Sequence, residues 1–283
     1  MTLTEMNLSP GAYLAPLFDW LNTNLHEVFA VISRFVEGML GAIEALLLLP
    51  PAYAMIAGVC IVTGLLINLR SAVLAGALLG FCWLSGFWTA SMQTIALVSV
   101  AVLIAVAVAF PLGILAARIK RFDNAISPLL NVMQTVPPWV YLIPAVIIFS
   151  LGKVPAIMAT IIYGIPPMLR LTTLGFRQVP KDLLELGQAT GAKPQTILFK
   201  IELPSAMPTL LVGLNQCILM SLAMVVLAGL VGAGGLGAEV TRGLTRMEMG
   251  LGLRAGLAIV AVALLLDRLS RGLLSHRAGP QLP

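Results

Sequence analysis

The sequence predicts an all-α polytopic membrane protein, seven transmembrane helices preceded by an amphipathic helix. Three observations predict it. Hydrophobic residues make up 59% of the chain and charged residues 10%, whereas a soluble domain carries about 25% charge because water must wet its surface. The apolar residues gather in runs close to the roughly 20 needed to cross the hydrocarbon layer as a helix. Those runs lack the period-two alternation of barrel strands, and a spanning helix satisfies its own amides in lipid.

The elements follow in chain order. Leu14, Leu17, Phe18, Leu21, Leu25, Val28, Phe29, Ile32, Phe35, Val36, Met39, Leu40, Ile43 and Leu47 recur at three- and four-residue steps. Asp19, Asn22, His26, Glu27, Arg34, Glu37 and Glu44 fall mainly between them. This predicts an amphipathic helix of about nine turns, with its glycines as candidate breaks. Its polar side is more acidic than that of helices that bind anionic lipid. Lying on the outer membrane face and packing on the protein's own outer surface or a partner are both open. Pro50 and Pro51 end the segment. Seven apolar runs then cover residues 52–69, 72–88, 91–117, 129–151, 154–174, 205–231 and 250–266. The third is free of charge throughout, where one central charge would cost about 2.5–3.5 kcal/mol. The span centres are read as uncharged. The resulting division is 1–50 amphipathic helix, 51–90 two additional spans, 91–272 a core with an inner loop at 177–204, and 273–283 a tail.

Lys and Arg set the orientation. With the N-terminus outside, twelve of the 17 basic residues fall on inner segments and five, Arg34, Lys153, Arg242, Arg246 and Arg254, on outer ones. Bases collect on the cytoplasmic side, so the expectation is N-terminus out and C-terminus in. The net charge of +5 fits this orientation rather than nucleic-acid binding. Residues 1–10 carry a glutamate and no base, so no cleavable signal peptide is expected.

Several chemistries are excluded. Cys60, Cys82 and Cys217 are odd in number and lack paired spacing, which fits buried small hydrophobes better than disulfides or zinc. His26 and His276 are the only histidines, too few for a metal cluster or buried triad. No GxxxxGK[ST] sequence occurs, so the chain binds no ATP by a P-loop. Gly232–Gly237 satisfies GxGxxG literally but follows a membrane span, not a strand, and reads as a flexible outer turn or gate.

The longest inward polar interruption is RQVPKDLLELGQATGAKPQTILFKIELP, residues 177–204. Pro180 suits a first helical turn and Asp182 the positive end of the dipole. Gly191 suits a left-handed C-cap, and Pro194 prevents continuation. A short helix of about three turns results, with Leu183, Leu184 and Leu186 as apolar knobs; a second begins at Gln195.

Here the chain resembles the permease subunits of ATP-binding-cassette importers, whose inner loop has the form EAAx3Gx9IxLP. Glu185, Gly191, Ile201, Leu203 and Pro204 match that spacing; Leu186 and Gly187 replace the two alanines, and Ala189 lies between. From about residue 91 to 269 the likeness extends to the glycine betaine/proline group of type I importers, through MQTVPPWVYLIPAVIIF, YGIPPMLRLTTLGFRQVP, LFKIELPSAMPTLLVGLNQ and GLVGAGGLG. The resemblance implies a five-helix permease core that binds no cofactor itself. It implies two ATPase subunits holding ATP and Mg, an extracytoplasmic solute-binding protein and a second permease copy, all at a bacterial inner membrane. Asp182, Leu183, Glu185, Leu186, Gly187, Ala189, Gly191, Ile201, Leu203 and Pro204 would then couple ATPase closure to alternating access. The cargo would be glycine betaine or a relative such as choline, carnitine or proline betaine.

Uncharged polar residues in apolar runs are the other signal. Asn131, Gln134, Asn215 and Gln216 either bond between helices or line a path. Pro137–Pro138 beside Trp139 and Tyr141 predicts an unwound stretch, and the two aromatic faces suit a quaternary ammonium. At the outer side, Gly234, Gly235, Glu239 and Arg242 are candidates for a gate or binding-protein contact, the alternative being a solvated charge mix. The competing class is a secondary transporter or channel that works without an ATPase. A membrane-embedded enzyme would need a nucleophile, base or metal set that the runs do not supply.

Overall fold

The computed structural model describes residues 10–275, which form α-helices joined by short turns, with no strand among the described residues. Residues 1–9, the start of the expected N-terminal segment, and 276–283, most of the tail, lie outside the described residues.

Thirteen α-helices follow one another: α1 (Pro10–Asn24), α2 (His26–Leu48), α3 (Ala52–Leu66), α4 (Leu69–Leu84), α5 (Trp88–Arg118), α6 (Lys120–Thr135), α7 (Leu142–Phe149), α8 (Lys153–Arg177), α9 (Lys181–Ala189), α10 (Pro194–Ile197), α11 (Leu203–Ala228), α12 (Gly235–Thr245) and α13 (Met249–Ser275). Four helices are long and apolar enough to cross a membrane: α5, α8, α13, and the continuous stretch Pro194–Val231 that contains α11. At 1.5 Å per residue the 31 residues of α5 reach about 46 Å, more than the hydrocarbon layer requires.

The seven expected spans are therefore not seven straight helices. The run at 129–151 is divided between α6 and a segment bent from it by 109°. The run at 52–69 becomes the 15-residue α3, at 93° to α2, and α4 has only 16 residues. The breaks have local causes. Pro137 and Pro138 supply no N–H to the carbonyls four residues back, and Pro50 and Pro51 do the same before α3.

The core is α8, packed between α5 and α11. Small residues let these helices approach. Ala101, Ala105, Ala109 and Gly113 recur every fourth residue along α5 and all are buried. A Cβ on Gly113 would sit 2.5 Å from Cβ of Thr172 on α8, and one on Gly164 would meet Sγ of Cys217 on α11 at 3.0 Å. Where lipid is as apolar as leucine, such close contact replaces the hydrophobic drive. The hydroxyls of Thr160 and Thr172 donate to the carbonyls of Ala156 and Met168 one turn back, which removes the cost of burying them. All three cysteines are free, with Cys82 and Cys217 buried and Cys60 half-buried.

The amphipathic segment breaks at Leu25 into α1 and α2 instead of running as one helix. On α2, part of the apolar stripe packs on the protein's own body. Val36 and Leu40 of α2 are buried in the main core, Phe29 stacks edge-on against Phe149 at 5.6 Å, and Lys153 Nζ meets Glu44 at 2.7 Å. Val28 and Phe35, two members of the expected stripe, and Val31 stay exposed.

Candidate functional site: a projecting loop helix and a broken path helix

One end of the bundle gathers the termini of α5, α6, α8 and α11, tied by Arg118–Glu202 and Arg177–Asp123, and from it projects the loop of residues 177–204. Within the loop, α9 spans Lys181–Ala189 with Pro180 as its N-cap and Asp182 in its first turn. Its C-terminus closes as the sequence requires. Gly191 has φ +71°, its N–H reaches the Gln188 carbonyl at 2.9 Å, and the Ala192 N–H reaches that of Gly187 at 3.1 Å. This pair of bonds is the Schellman closure, which favours glycine at the left-handed position.

The residues of α9 divide by face. Gly187 is buried, and a Cβ there would lie 2.7 Å from Cδ1 of Ile201 and 3.3 Å from Cγ1 of Ile197. The missing side chain lets α9 sit down on α10 and the turn that leads into α11. On the other side Leu183 and Leu186 are exposed, 41% and 61%, and Glu185 is exposed with no hydrogen bond or ion pair among the described residues. Asp182 and Ala189 are exposed as well. Two apolar knobs flanking an unpaired carboxylate are thus held out from the bundle on a helix of nine residues.

Residues 198–202 form one turn of π-helix leading into α11, a rare form that places side chains out of α-register. Ile201 and Leu203 are half-buried and Pro204 is exposed. The residue between Ile201 and Leu203, which spacing alone treated as free, carries much of the anchorage. Glu202 is 3% exposed and pairs with Arg118 at the end of α5. Arg177 adds a second tie, donating to Asp123 of α6 at 3.0 Å and to the Ala116 carbonyl at 2.8 Å. Phe199, also not singled out by the sequence argument, is 63% exposed on the same loop.

The second constellation surrounds the break after α6. A 3-10 turn over Pro138–Tyr141 leads into α7. Pro137 has no N–H for the Met133 carbonyl, and the Tyr141 hydroxyl donates to that carbonyl instead at 2.7 Å. Trp139 is 55% exposed, and the Tyr141 ring lies 6.3 Å from that of Tyr163 on α8. Asn131 and Gln134 are exposed on α6, as is Gln216 on α11. Asn215 differs: it is buried and accepts a hydrogen bond from Ser270 of α13 at 3.0 Å. Of the two readings for that residue, the geometry is that of helix joining.

At the opposite end, the glycine-rich turn is pinned rather than loose. The Gly235 N–H donates to Oε1 of Gln93 at 3.3 Å and the Leu236 N–H to Oγ1 of Thr94 at 2.9 Å. Gly234 and Gly235 have φ of +78° and +67°. Glu239 and Arg242 pair with each other at 2.8 Å across one turn of α12.

The profile of the family described as "Binding-protein-dependent transport system inner membrane component" matches residues 109–276. The chain belongs to that family. This permease is 42% identical over 260 residues to the glycine betaine/proline betaine transport system permease protein ProW of Escherichia coli strain K12, covering 89% of this chain and 72% of that one. It is 36% identical over 270 residues to the glycine betaine transport system permease protein OpuAB of Bacillus subtilis strain 168, covering 91% and 94%. An inward-facing crystal structure of the MetNI methionine ABC transporter shares the fold, with TM-score 0.56 and 22% identity over 66% of this chain and 95% of that one. The permease is therefore a membrane-embedded transport subunit whose fold is that of ABC importers. Among the described residues no group of three or more His, Cys, Asp or Glu gathers as metal ligands.

Arg170 lies inside α8, seven residues before its last residue, Arg177, within the apolar run expected at 154–174 but away from its centre.

Proposed function

We propose that this permease imports a small quaternary-ammonium solute, glycine betaine or a relative such as proline betaine, carnitine or choline. It acts as a pair of identical copies with two ATPase subunits, which bind ATP and Mg, and an extracytoplasmic solute-binding protein. The core is residues 91–272, with the loop 177–204 in the cytoplasm, the N-terminus outside and the tail inside. The cargo class rests on the relatives' transport of glycine betaine.

The observation that carries the mechanism is the seating of α9. A subunit without a nucleotide site moves only if a partner grips it, and Leu183, Glu185 and Leu186 offer that grip. Gly187 against Ile201, together with the Arg118–Glu202 pair, passes a push on α9 directly into α5 and α11. Closure of the paired ATPases then rocks the spans between inward- and outward-open states. The solute passes the broken segment after α6, where Trp139 and Tyr141 attract the ammonium by cation–π contact, and Asn131, Gln134 and Gln216 wet the path. Gly234, Gly235, Glu239 and Arg242 lie at the outer gate and meet the binding protein.

Reconstitution tests this. Vesicles holding the complex should take up glycine betaine only with ATP on the ATPase side and binding protein on the other. Gly191→Trp or Glu185→Ala should leave ATP hydrolysis running while uptake stops. Uptake by the permease without nucleotide would favour an ATPase-independent transporter and defeat the proposal.

A further inference from the structure

Arg170 is a cation inside a membrane span, and the mechanism above does not use it. By rise per residue its Cα lies about 10 Å in from the Arg177 end of α8. Its neighbours from Pro166 to Leu169 are buried, whereas Arg170 is exposed. An exposed guanidinium at that depth is costly against lipid and is tolerated facing a water-filled cavity or an interior surface. Its orientation is fixed from α6: Nη2 donates to Oδ1 of Asn131 at 2.5 Å. That is its one hydrogen bond among the described residues, and no carboxylate pairs with it. A planar guanidinium carries five donors, so a single neutral amide leaves most of them, and the whole charge, open to a ligand.

Tyr163, whose ring lies 6.3 Å from that of Tyr141, is seven residues before Arg170 on α8. The Tyr141 hydroxyl is bonded to the Met133 carbonyl, two residues beyond Asn131. α6 and α8 thus carry a positive group and, about 10 Å along α8 by rise per residue, an aromatic pair, an arrangement with two opposite preferences. We infer that Arg170, steadied by Asn131, receives a carboxylate of the solute in transit, so that the path itself favours a quaternary-ammonium zwitterion over a solute bearing the cation alone. A pure cation meets the rings but is repelled by the guanidinium; a zwitterion satisfies both.

The inference rests on the cargo class proposed above, and one assay separates the two. The full complex with ATPase and binding protein is reconstituted with ATP, and uptake of labelled glycine betaine is measured for wild type, Arg170→Gln, Arg170→Lys and Asn131→Asp, with ATP hydrolysis as the control for assembly. Arg170→Gln should lose uptake by about tenfold or more, the scale of a hydrogen bond to a charged group. Arg170→Lys should recover much of it. Asn131→Asp keeps the bond between helices but occupies the guanidinium with an internal carboxylate, so it too should fall. The loss should appear in the maximal rate, because the binding protein sets the concentration dependence. If wild type moves no quaternary-ammonium zwitterion, the functional reading fails. If wild type is active and Arg170→Gln equals it, this inference alone fails. Normal uptake by Asn131→Asp, or equal loss in the Lys and Gln variants, would assign Arg170 to helix joining and also overturn it.

Discussion

Replacing Arg118 by glutamine should destabilise this permease more than replacing its partner Glu202 by glutamine, although each change breaks the same ion pair. The asymmetry comes from what is left behind. The Glu202 side chain is 4% exposed and that of Arg118 52%. Arg118→Gln strands a carboxylate that water barely reaches, and breaking a buried pair in this way costs about 3–5 kcal/mol. Because Arg118 is half in solvent, the lower end, about 3 kcal/mol, applies here. Glu202→Gln leaves a guanidinium that turns to water and a neutral acceptor still in reach, so about 1 kcal/mol is expected. For a chain of this size these correspond to falls of very roughly 6–12 °C and 2–4 °C in unfolding midpoint. The assay is thermal unfolding of the detergent-purified permease followed by fluorescence of its four tryptophans. The double variant should recover most of the Arg118→Gln loss, because no charge is then stranded. Equal falls, or a larger fall for Glu202→Gln, would show that burial of the carboxylate does not govern the pair.

Three other expectations use the same reasoning. Gly237→Ala should be far more damaging than Gly232→Ala, since a Cβ at 237 would lie 2.3 Å from the Val225 carbonyl oxygen while one at 232 meets nothing within 4 Å; the yield of folded protein measures the difference, with Gly232→Ala costing about 1–2 kcal/mol for its left-handed φ. Ser150→Gly should stabilise by about 1 kcal/mol, because Ser150 has φ 62° and ψ −172°, a region that suits glycine alone; no rise in unfolding midpoint would contradict the strain. The double variant Trp139→Ala, Tyr141→Ala should slow uptake of glycine betaine, and unchanged uptake would remove both rings from the path.

What the sequence revealed depended on whether the determining forces were local. The bounds of α9 follow from Pro180, Gly191 and Pro194, each acting through its own backbone, and the structure closes the helix at Gly191 with the bonds that residue favours. The break near Pro137 was readable for the same reason, since proline removes a donor wherever it stands. Its 109° size was not, because the angle depends on what α6 and α7 pack against. The anchorage of the loop was hidden too: Arg118 and Glu202 lie 84 residues apart, and in spacing alone Glu202 is the free position between two apolar ones. Arg170 was placed on the inner side by charge counting and lay within the run 154–174, but its partner on α6, Asn131, could not be read from the sequence. For the amphipathic segment, periodicity fixed which face is apolar but not what covers it. The contacts of Phe29 with Phe149 and Glu44 with Lys153 supply that.

The central claim is that α9 is the cytosolic point at which an ATPase grips this permease, and accessibility of one side chain tests it most directly. Leu186, 61% exposed, is changed to cysteine in a variant whose Cys60, Cys82 and Cys217 are replaced, and membrane vesicles of both orientations are treated with an impermeant maleimide. Labelling should occur in inside-out vesicles only, and bound ATPase should block it. Labelling from the outer face, or labelling undiminished by the ATPase, would contradict the account.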